Sequence, residues 1–251
     1  MVDWNDPQVK LTVYLIYGTS FILMFLTIMV WRKKVSHIQF MNDFTYLAIF
    51  GLLHGLTEYS DIPRFLEWQP AWAFDFIKLI LVSSSFAALL AFGLSIVSAG
   101  VEERRWLHGI ALGALFMYFW MLIFLGFMSR DIQIYYKDAY NAVELASRYS
   151  LGFFGAVISS YAFFDLSKKM DTIVGGKTGL RFIAAGIGFT LYAIFGGLIV
   201  FPVLGIPVVV FRSAIAVLIT VSVIWIFCLF EIKPEKREHQ KKENNPQNQQ
   251  V

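Results

Sequence analysis

The sequence has 251 residues, 57% of them hydrophobic, with 25 phenylalanines, 16% charged residues and a formal net charge of +3. An ordinary soluble domain carries roughly 25% charged residues, so this balance excludes a water-soluble core and points to a bilayer as solvent. One cysteine, Cys228, excludes an internal disulfide and any cysteine-based metal site, and nothing in the charge pattern suggests a nucleic-acid partner.

Apolar stretches long enough to cross a hydrocarbon core of ~30 Å recur along the chain. In order they are Leu11–Trp31, Asp43–Ser60, Trp72–Ser98, Leu107–Met128, Ser150–Leu166, Leu180–Leu204 and Pro207–Phe230. The leader MVDWNDPQVK is acidic and the run after it is too long for the core of a signal peptide, so the first stretch reads as a span. Continuous runs rich in Leu, Phe, Ile and Ala fit helices, whereas barrel strands would alternate. The expected fold is all-α, a polytopic bundle of seven transmembrane helices over residues 1–231. The stretch RDIQIYYKDAYNAVELASRY, 130–149, is expected to form a short helix lying at the interface. Residues 232–251, charged and then Asn/Gln-rich, are expected to be a disordered tail.

Orientation follows from alternate connections. Arg32, Lys33 and Lys34 follow the first span, and Arg104 and Arg105 the third. Lys168, Lys169, Lys177 and Arg181 lie between the fifth and sixth, and Lys233, Lys236, Arg237, Lys241 and Lys242 follow the seventh. The positive-inside rule places these connections in the cytoplasm, the N-terminus outside and the C-terminus inside.

The second span opens the functional question. Within FGLLHGLTEYSD, at 3.6 residues per turn, Gly51, His54, Glu58 and Asp61 fall on one stripe. Asp75 and Lys78 stand near the start of the third span, Glu144 and Arg148 before the fifth, and Arg212 a turn into the seventh. A charge at the centre of a membrane helix costs at least ~2.5–3.5 kcal/mol, so such groups turn inward and pair. The acids Glu58, Asp61, Asp75 and Glu144 and the bases Lys78, Arg148, Arg212 and His54 are expected to meet in a polar cavity toward the outer surface, lined by the second, third, fifth and seventh helices. The alternative is an ion-pair network that only fixes helix register, with Asp61 in interfacial water and Lys78 snorkelling outward.

Other motifs carry less. His54 and Glu58 have the i, i+4 spacing of zinc-binding helices, but a metal needs a third ligand, and His37, His108 and His239 map to the opposite side or the tail. No metal or other cofactor is expected. Gly175-Gly176-Lys177-Thr178 has the end of a P-loop without the strand before it. Gly51-x-x-x-Gly55 and Gly109-x-x-x-Gly113 are small-residue patches for close helix approach. Ser83-Ser84-Ser85 is expected to back-bond to helix carbonyls, with one serine available to the cavity. The seventh span has no lysine for a retinal Schiff base, and no nucleophile is arranged with a base, so no catalytic residue is assigned.

FGLLHGLTEYSD, SRYSLGFFGAVISSYAFF, LYAIFGGLIV and GIPVVVFRSAIAVLITVSVIWIFCLFE together resemble the seven-helix membrane input domain of bacterial histidine kinases and diguanylate cyclases. The resemblance covers residues 43–231. It rests on His54, Gly55, Glu58, Arg148, Tyr149, Gly152, Gly155, Pro207, Arg212 and Glu231, while Tyr59, Ser150 and Phe154 depart from the family pattern. It implies a sensor in the bacterial cytoplasmic membrane, adds Tyr149 to the candidate ligand-binding residues, and implies output through a cytoplasmic signalling partner or a homodimer. Family members continue into signalling modules, so the chain is expected to be free-standing, excised, or served by a separate partner. The expected function is a receptor-like sensor binding a lipid-like or small anionic ligand. The alternatives are a membrane-embedded metal-dependent lipid hydrolase, a transporter, and a non-catalytic subunit of a membrane complex.

Overall fold

A computed structural model describes residues 4, 6–32, 34, 39–65, 71–99, 106–128, 132–174 and 178–229. Besides two four-residue turns of helix at Gln39–Asn42 and Ile62–Phe65, the described residues form seven long helices. These are α1 (Pro7–Arg32), α2 (Phe44–Tyr59), α3 (Ala71–Ser98), α4 (Leu107–Met128), α5, α6 and α7 (Val208–Phe227). α5 is Ile132–Ser147 and Phe153–Val174 joined by a π-helical segment, Arg148–Gly152; α6 is Gly179–Tyr192 continued by a second, Ala193–Leu198. Five stretches are long and apolar enough to cross a membrane: Pro7–Arg32, Phe74–Ser98, Tyr140–Thr172, Gly179–Leu198 and Val208–Phe227. The 16 residues of α2 span about 24 Å at ~1.5 Å per residue. The protein is a multi-pass membrane protein. Leu15, Leu23, Leu26, Val30, Phe116, Met117, Trp120, Val221 and Trp225 are exposed apolar side chains on helices of this length. Lipid tails, not water, are the natural neighbours of such a surface.

Two departures from the apolar-run reading have clear causes. The fifth helix does not begin near Ser150 after a separate short helix; it runs unbroken from Ile132. Its polar residues sit in register with a buried stripe of Tyr140, Val143, Ser147 and Leu151, and Glu144 and Arg148 neutralise one another one turn apart. Charge therefore interrupted the apolar run without interrupting the helix. The sixth helix ends at Leu198, because Pro202 lacks an N–H and disfavours helical geometry in Phe201. Val203 and Ile206 then exchange two 3.0 Å backbone bonds across a tight turn, with Leu204 (φ 53°) and Gly205 (φ 77°) both left-handed, the signature of a type I′ turn. Pro207, with φ −56° and an extended ψ of 136°, is the N-cap residue immediately before α7.

Packing closes a ring. The principal contacts run α1–α2, α2–α3, α3–α5, α5–α6, α6–α7 and α7–α1, and α4 lies outside the ring against α3. The interior is aromatic: Phe21, Phe44, Phe50, Phe86, Phe92, Phe163, Phe189 and Phe227 are all at most 1% exposed. α1 and α2 approach closely because Gly55 sits where any Cβ would come within 2.8 Å of the Gly18 carbonyl. The matching patch on α4 is idle, since a Cβ at Gly109 or Gly113 meets nothing within 4 Å among the described residues.

Antiparallel alternation sorts the polar groups. Arg32, Lys34, Lys168, Lys169 and Arg181 stand at the end of the bundle where α1 and α5 finish and α6 begins. The buried acids and bases gather at the other end, where α2 finishes and α3 and α7 begin. Lys33, Arg104, Arg105, Lys177 and the tail 232–251 lie outside the described residues.

Candidate functional site

A cavity of about 350 Å³ opens at that second end, lined by Tyr14 of α1, Glu58 and Asp61 at the end of α2, and Lys78 of α3. Asn141, Glu144, Leu145 and Arg148 of α5, Val200 after α6, and Val209 and Arg212 of α7 complete the wall. Every helix of the ring, or the segment leading from it, reaches the wall; α4 does not. Of the sequence candidates, Glu58, Asp61, Lys78, Arg148 and Arg212 meet here together with Glu144. Asp75, one turn before Lys78, does not line the cavity, and Tyr149 is 40% exposed. His54 lies one turn before Glu58, fully buried behind the wall.

The charges pair unevenly. Lys78 Nζ lies 2.9 Å from both carboxylate oxygens of Asp61 and 4.0 Å from Glu144 Oε1. Arg148 donates to Glu144 Oε1 through Nε at 3.1 Å and Nη2 at 2.8 Å, with a longer 3.4 Å bond from Nη1 to the Gly196 carbonyl. Asp61, 4% exposed, and Lys78, 8%, are thus an enclosed pair, and Lys78 does not snorkel. Arg212 behaves differently. Its Nε donates to the Phe195 carbonyl at 2.6 Å and its Nη2 to the Ile199 carbonyl at 2.9 Å, and no carboxylate lies within 4 Å of it among the described residues. The Glu58 carboxylate receives no hydrogen bond among the described residues; its Oε1 lies 3.5 Å from His54 Nε2.

Both arginines therefore hold the π-helical segment of α6, Arg148 from the π-helical segment of α5 and Arg212 from α7. Such segments break the regular carbonyl ladder, leave acceptors for other donors, and recur at functional sites. Carbonyls at the end of α6 are thus capped by side chains from two other helices.

Behind the wall, the hydrogen bonds of His54 run in one direction. Ser85 Oγ donates to the Val82 carbonyl at 2.8 Å, so its lone pair accepts from His54 Nδ1–H at 3.0 Å. Nε2 is then the acceptor and takes the Tyr192 hydroxyl at 2.6 Å, while Tyr17 Oη lies 3.2 Å from Nε2 and 3.4 Å from Tyr192 Oη. The relay joins α1, α6, α2 and α3 inside the shell of Phe21, Phe50 and Phe86, with the imidazole stacked on Phe50 at 5.1 Å. Tyr17 and Tyr192 are each placed to serve Nε2. Tyr192→Phe is accordingly expected to cost at most about 1 kcal/mol, because Tyr17 takes over. Tyr17→Phe combined with Tyr192→Phe is expected to cost more than the sum of the singles, because a buried acceptor left unsatisfied costs ~1–3 kcal/mol. Denaturant unfolding of the three variants in detergent micelles measures the difference.

Comparisons with protein-family models, with curated proteins and with solved structures found no match to this chain. The site therefore rests on its own geometry. Among the described residues, no three His, Cys, Asp or Glu side chains come together as a metal site. His37, His239 and Glu231 lie outside the described residues, as does the P-loop-like Gly175-Gly176-Lys177.

Sequence reasoning missed Tyr14, Asn141, Tyr17 and Tyr192. Tyrosines are frequent in membrane helices, and Tyr17 and Tyr192 sit in apolar runs whose composition carries no sign of a partner. Ser85 was visible only as part of a serine run, and it both back-bonds and accepts from His54. Of the departures from the family pattern, Tyr59 Oη bonds Thr19 Oγ1 at 2.7 Å and so ties α2 to α1. Ser150 Oγ pairs with Tyr118 Oη, and Phe154 is 55% exposed.

Proposed function

We propose that the protein is a seven-helix membrane sensor of the histidine-kinase and diguanylate-cyclase input type. A small or lipid-like ligand with an anionic group enters the charged chamber and shifts the packing of α6 and α7. A separate cytoplasmic module, or a second copy of the chain, reads that shift. The observation that carries the reading is the double duty of Arg148 and Arg212: both line the chamber, and both hold the π-helical segment of α6. A ligand anion that draws either guanidinium must loosen or re-aim those backbone bonds. It therefore binds one arrangement of the bundle better than another, which is the requirement for a population shift. A catalytic reading finds less support, because among the described residues no nucleophile, base and orienting group converge on the cavity.

Outside the chamber, Arg32, Lys34, Lys168, Lys169 and Arg181 stand at the far end of the bundle, against Lys10 near the start of α1. By the positive-inside rule, that end faces the cytoplasm and the chamber opens outward, in a bacterial cytoplasmic membrane. The test is a thermal-unfolding screen of the purified chain against carboxylate- and phosphate-bearing metabolites and lysolipids. At least one compound class is expected to raise the midpoint of the wild type and of Val221→Ala, on the lipid-facing side of α7. The same class is expected to lose its effect in His54→Ala and in Arg212→Lys. Undiminished shifts in both variants, each folded, would place the sensor site elsewhere.

A further inference from the structure

The chamber wall holds three acids, Glu58, Asp61 and Glu144, and three bases, Lys78, Arg148 and Arg212. Two pairs are complete within the protein, Lys78 with Asp61 and Arg148 with Glu144. The third acid and third base are left over. The carboxylate of Glu58, a residue 5% exposed, accepts from no donor among the described residues, and Arg212, 9% exposed, meets backbone carbonyls through Nε and Nη2 only. They stand on different helices and make no ion pair with each other.

A buried acid or base without a partner is costly, and a site that leaves one of each over is complementary to a ligand that carries both signs. A ligand bearing only an anion would satisfy Arg212 and sit beside the bare carboxylate of Glu58. A ligand bearing only a cation would satisfy Glu58 and face Arg212. The volume of about 350 Å³ is near the lower end of the ~300–1,000 Å³ common for ligand pockets, which fits a compact molecule. We infer that the chamber takes a small zwitterion, its carboxylate or phosphate on Arg212 and its primary ammonium on Glu58. This rests on the sensor reading above and narrows its ligand. It also gives Glu58 a role: the residue selects for the ammonium, against the plain anions that Arg212 alone would accept. The same chemistry occurs in a free amino acid and in an aminophospholipid head group.

The experiment is calorimetric titration of the purified full chain with matched compounds. Glycine, β-alanine, 4-aminobutyrate and phosphoethanolamine carry both charges; propionate and propylamine carry one each. A lipid arm compares nanodiscs of phosphatidylcholine with nanodiscs containing phosphatidylethanolamine, reading the unfolding midpoint. At least one soluble zwitterion is expected to bind at least tenfold more tightly than either half-compound, and Glu58→Gln, which keeps size and shape, is expected to erase that preference. A midpoint rise confined to the phosphatidylethanolamine discs, and absent in Glu58→Gln, supports the same chemistry with the lipid as its source. If propionate binds the wild type as tightly as β-alanine, the zwitterion inference is overturned while the anion-sensing reading survives. That comparison uses ligands alone and does not depend on any variant folding. If no compound and no lipid binds, both readings fall.

Discussion

Asp61→Ala is expected to destabilise the bundle by about 3–5 kcal/mol, the range for removing one partner of an enclosed ion pair. Lys78 Nζ sits 2.9 Å from both oxygens of that carboxylate, and side-chain exposures of 11% and 6% leave little water to take the carboxylate's place. The next acid, Glu144, stands 4.0 Å away and already binds Arg148 through two bonds. Any rescue of Lys78 by Glu144 is therefore drawn from Arg148. Replacing both partners, Asp61→Leu with Lys78→Met, removes the orphan as well as the pair and is expected to return stability to within about 1 kcal/mol of wild type. Chemical unfolding of the wild type, Asp61→Ala and the double replacement in bicelles measures this. A loss below about 1 kcal/mol in Asp61→Ala would mean that the pair behaves as an exposed one, and that the chamber is wet enough to solvate a lone ammonium.

The contrast between the two variants also separates the roles a charged cluster can play. A pair kept only for register is dispensable once both members are replaced by apolar residues. A pair kept because its neighbours must stay available to a ligand is not. In the double replacement, Glu144 and Arg148 remain matched while the wall loses two polar side chains. Restored stability with lost ligand response would assign Asp61 and Lys78 to the shape and charge of the chamber. Restored stability with intact response would assign them to helix register alone.

The helices were legible in the sequence wherever hydrophobicity and helix coincide. α1, α2, α3, α4 and α7 lie within a few residues of the apolar runs, because the few charged groups within them are too sparse to break the hydropathy of a span. α5 was cut short on paper since Glu144 and Arg148 read as the end of a span. Helical continuity depends on backbone geometry and on pairing one turn apart, which a hydropathy average does not register. The end of α6 was overrun for the opposite reason: Ile199–Leu204 is apolar, and only Pro202 marks the break. The π-helical segments at 148–152 and 193–198 left no trace of their own in composition.

The site was legible through cost. Seven charged side chains and His54, on segments bound for a bilayer, were expected to meet; Glu58, Asp61, Lys78, Glu144, Arg148 and Arg212 line one cavity, and Asp75 and His54 do not. The pairing was not legible, because opposite signs admit many matchings and only the ring order of helices selects among them. Lys78 takes the acid across α2–α3 and Arg148 the acid on its own helix. Arg212 finds no acid and turns to carbonyls, an outcome set by where α6 stops. Tyr17, Tyr192 and Ser85 had no such signal, since a hydroxyl is cheap enough in a membrane helix to be placed for many reasons.

Arg212→Met is expected to cost about 3 kcal/mol and, more tellingly, to fray the end of α6. The last carbonyls of any helix lack partners within it, and here the π-helical geometry adds to the number: Ile199 N–H bonds the Ile194 carbonyl at 2.8 Å, five residues back. Phe195 O and Ile199 O are answered by one guanidinium whose fork reaches both, at 2.6 and 2.9 Å. Hydrogen bonds to a charged group contribute ~1.5–3 kcal/mol each, and the two share a side chain, so their loss falls short of the sum. Methionine keeps the bulk and removes both donors. Lysine keeps the charge, but a single ammonium does not reproduce the planar fork, so Arg212→Lys is expected to recover less than half of the loss. Amide hydrogen exchange localises the effect: amides from Phe195 to Phe201 are expected to exchange faster in Arg212→Met, and those of α2 around His54 to be unchanged. Faster exchange over the whole bundle would instead mean that the guanidinium supports the global fold. Protection of residues 195–201 unchanged from wild type would show that water satisfies those carbonyls when Arg212 lets go. A ligand drawing the guanidinium into the chamber would then send no mechanical signal through α6, and the coupling would have to run through α7 alone.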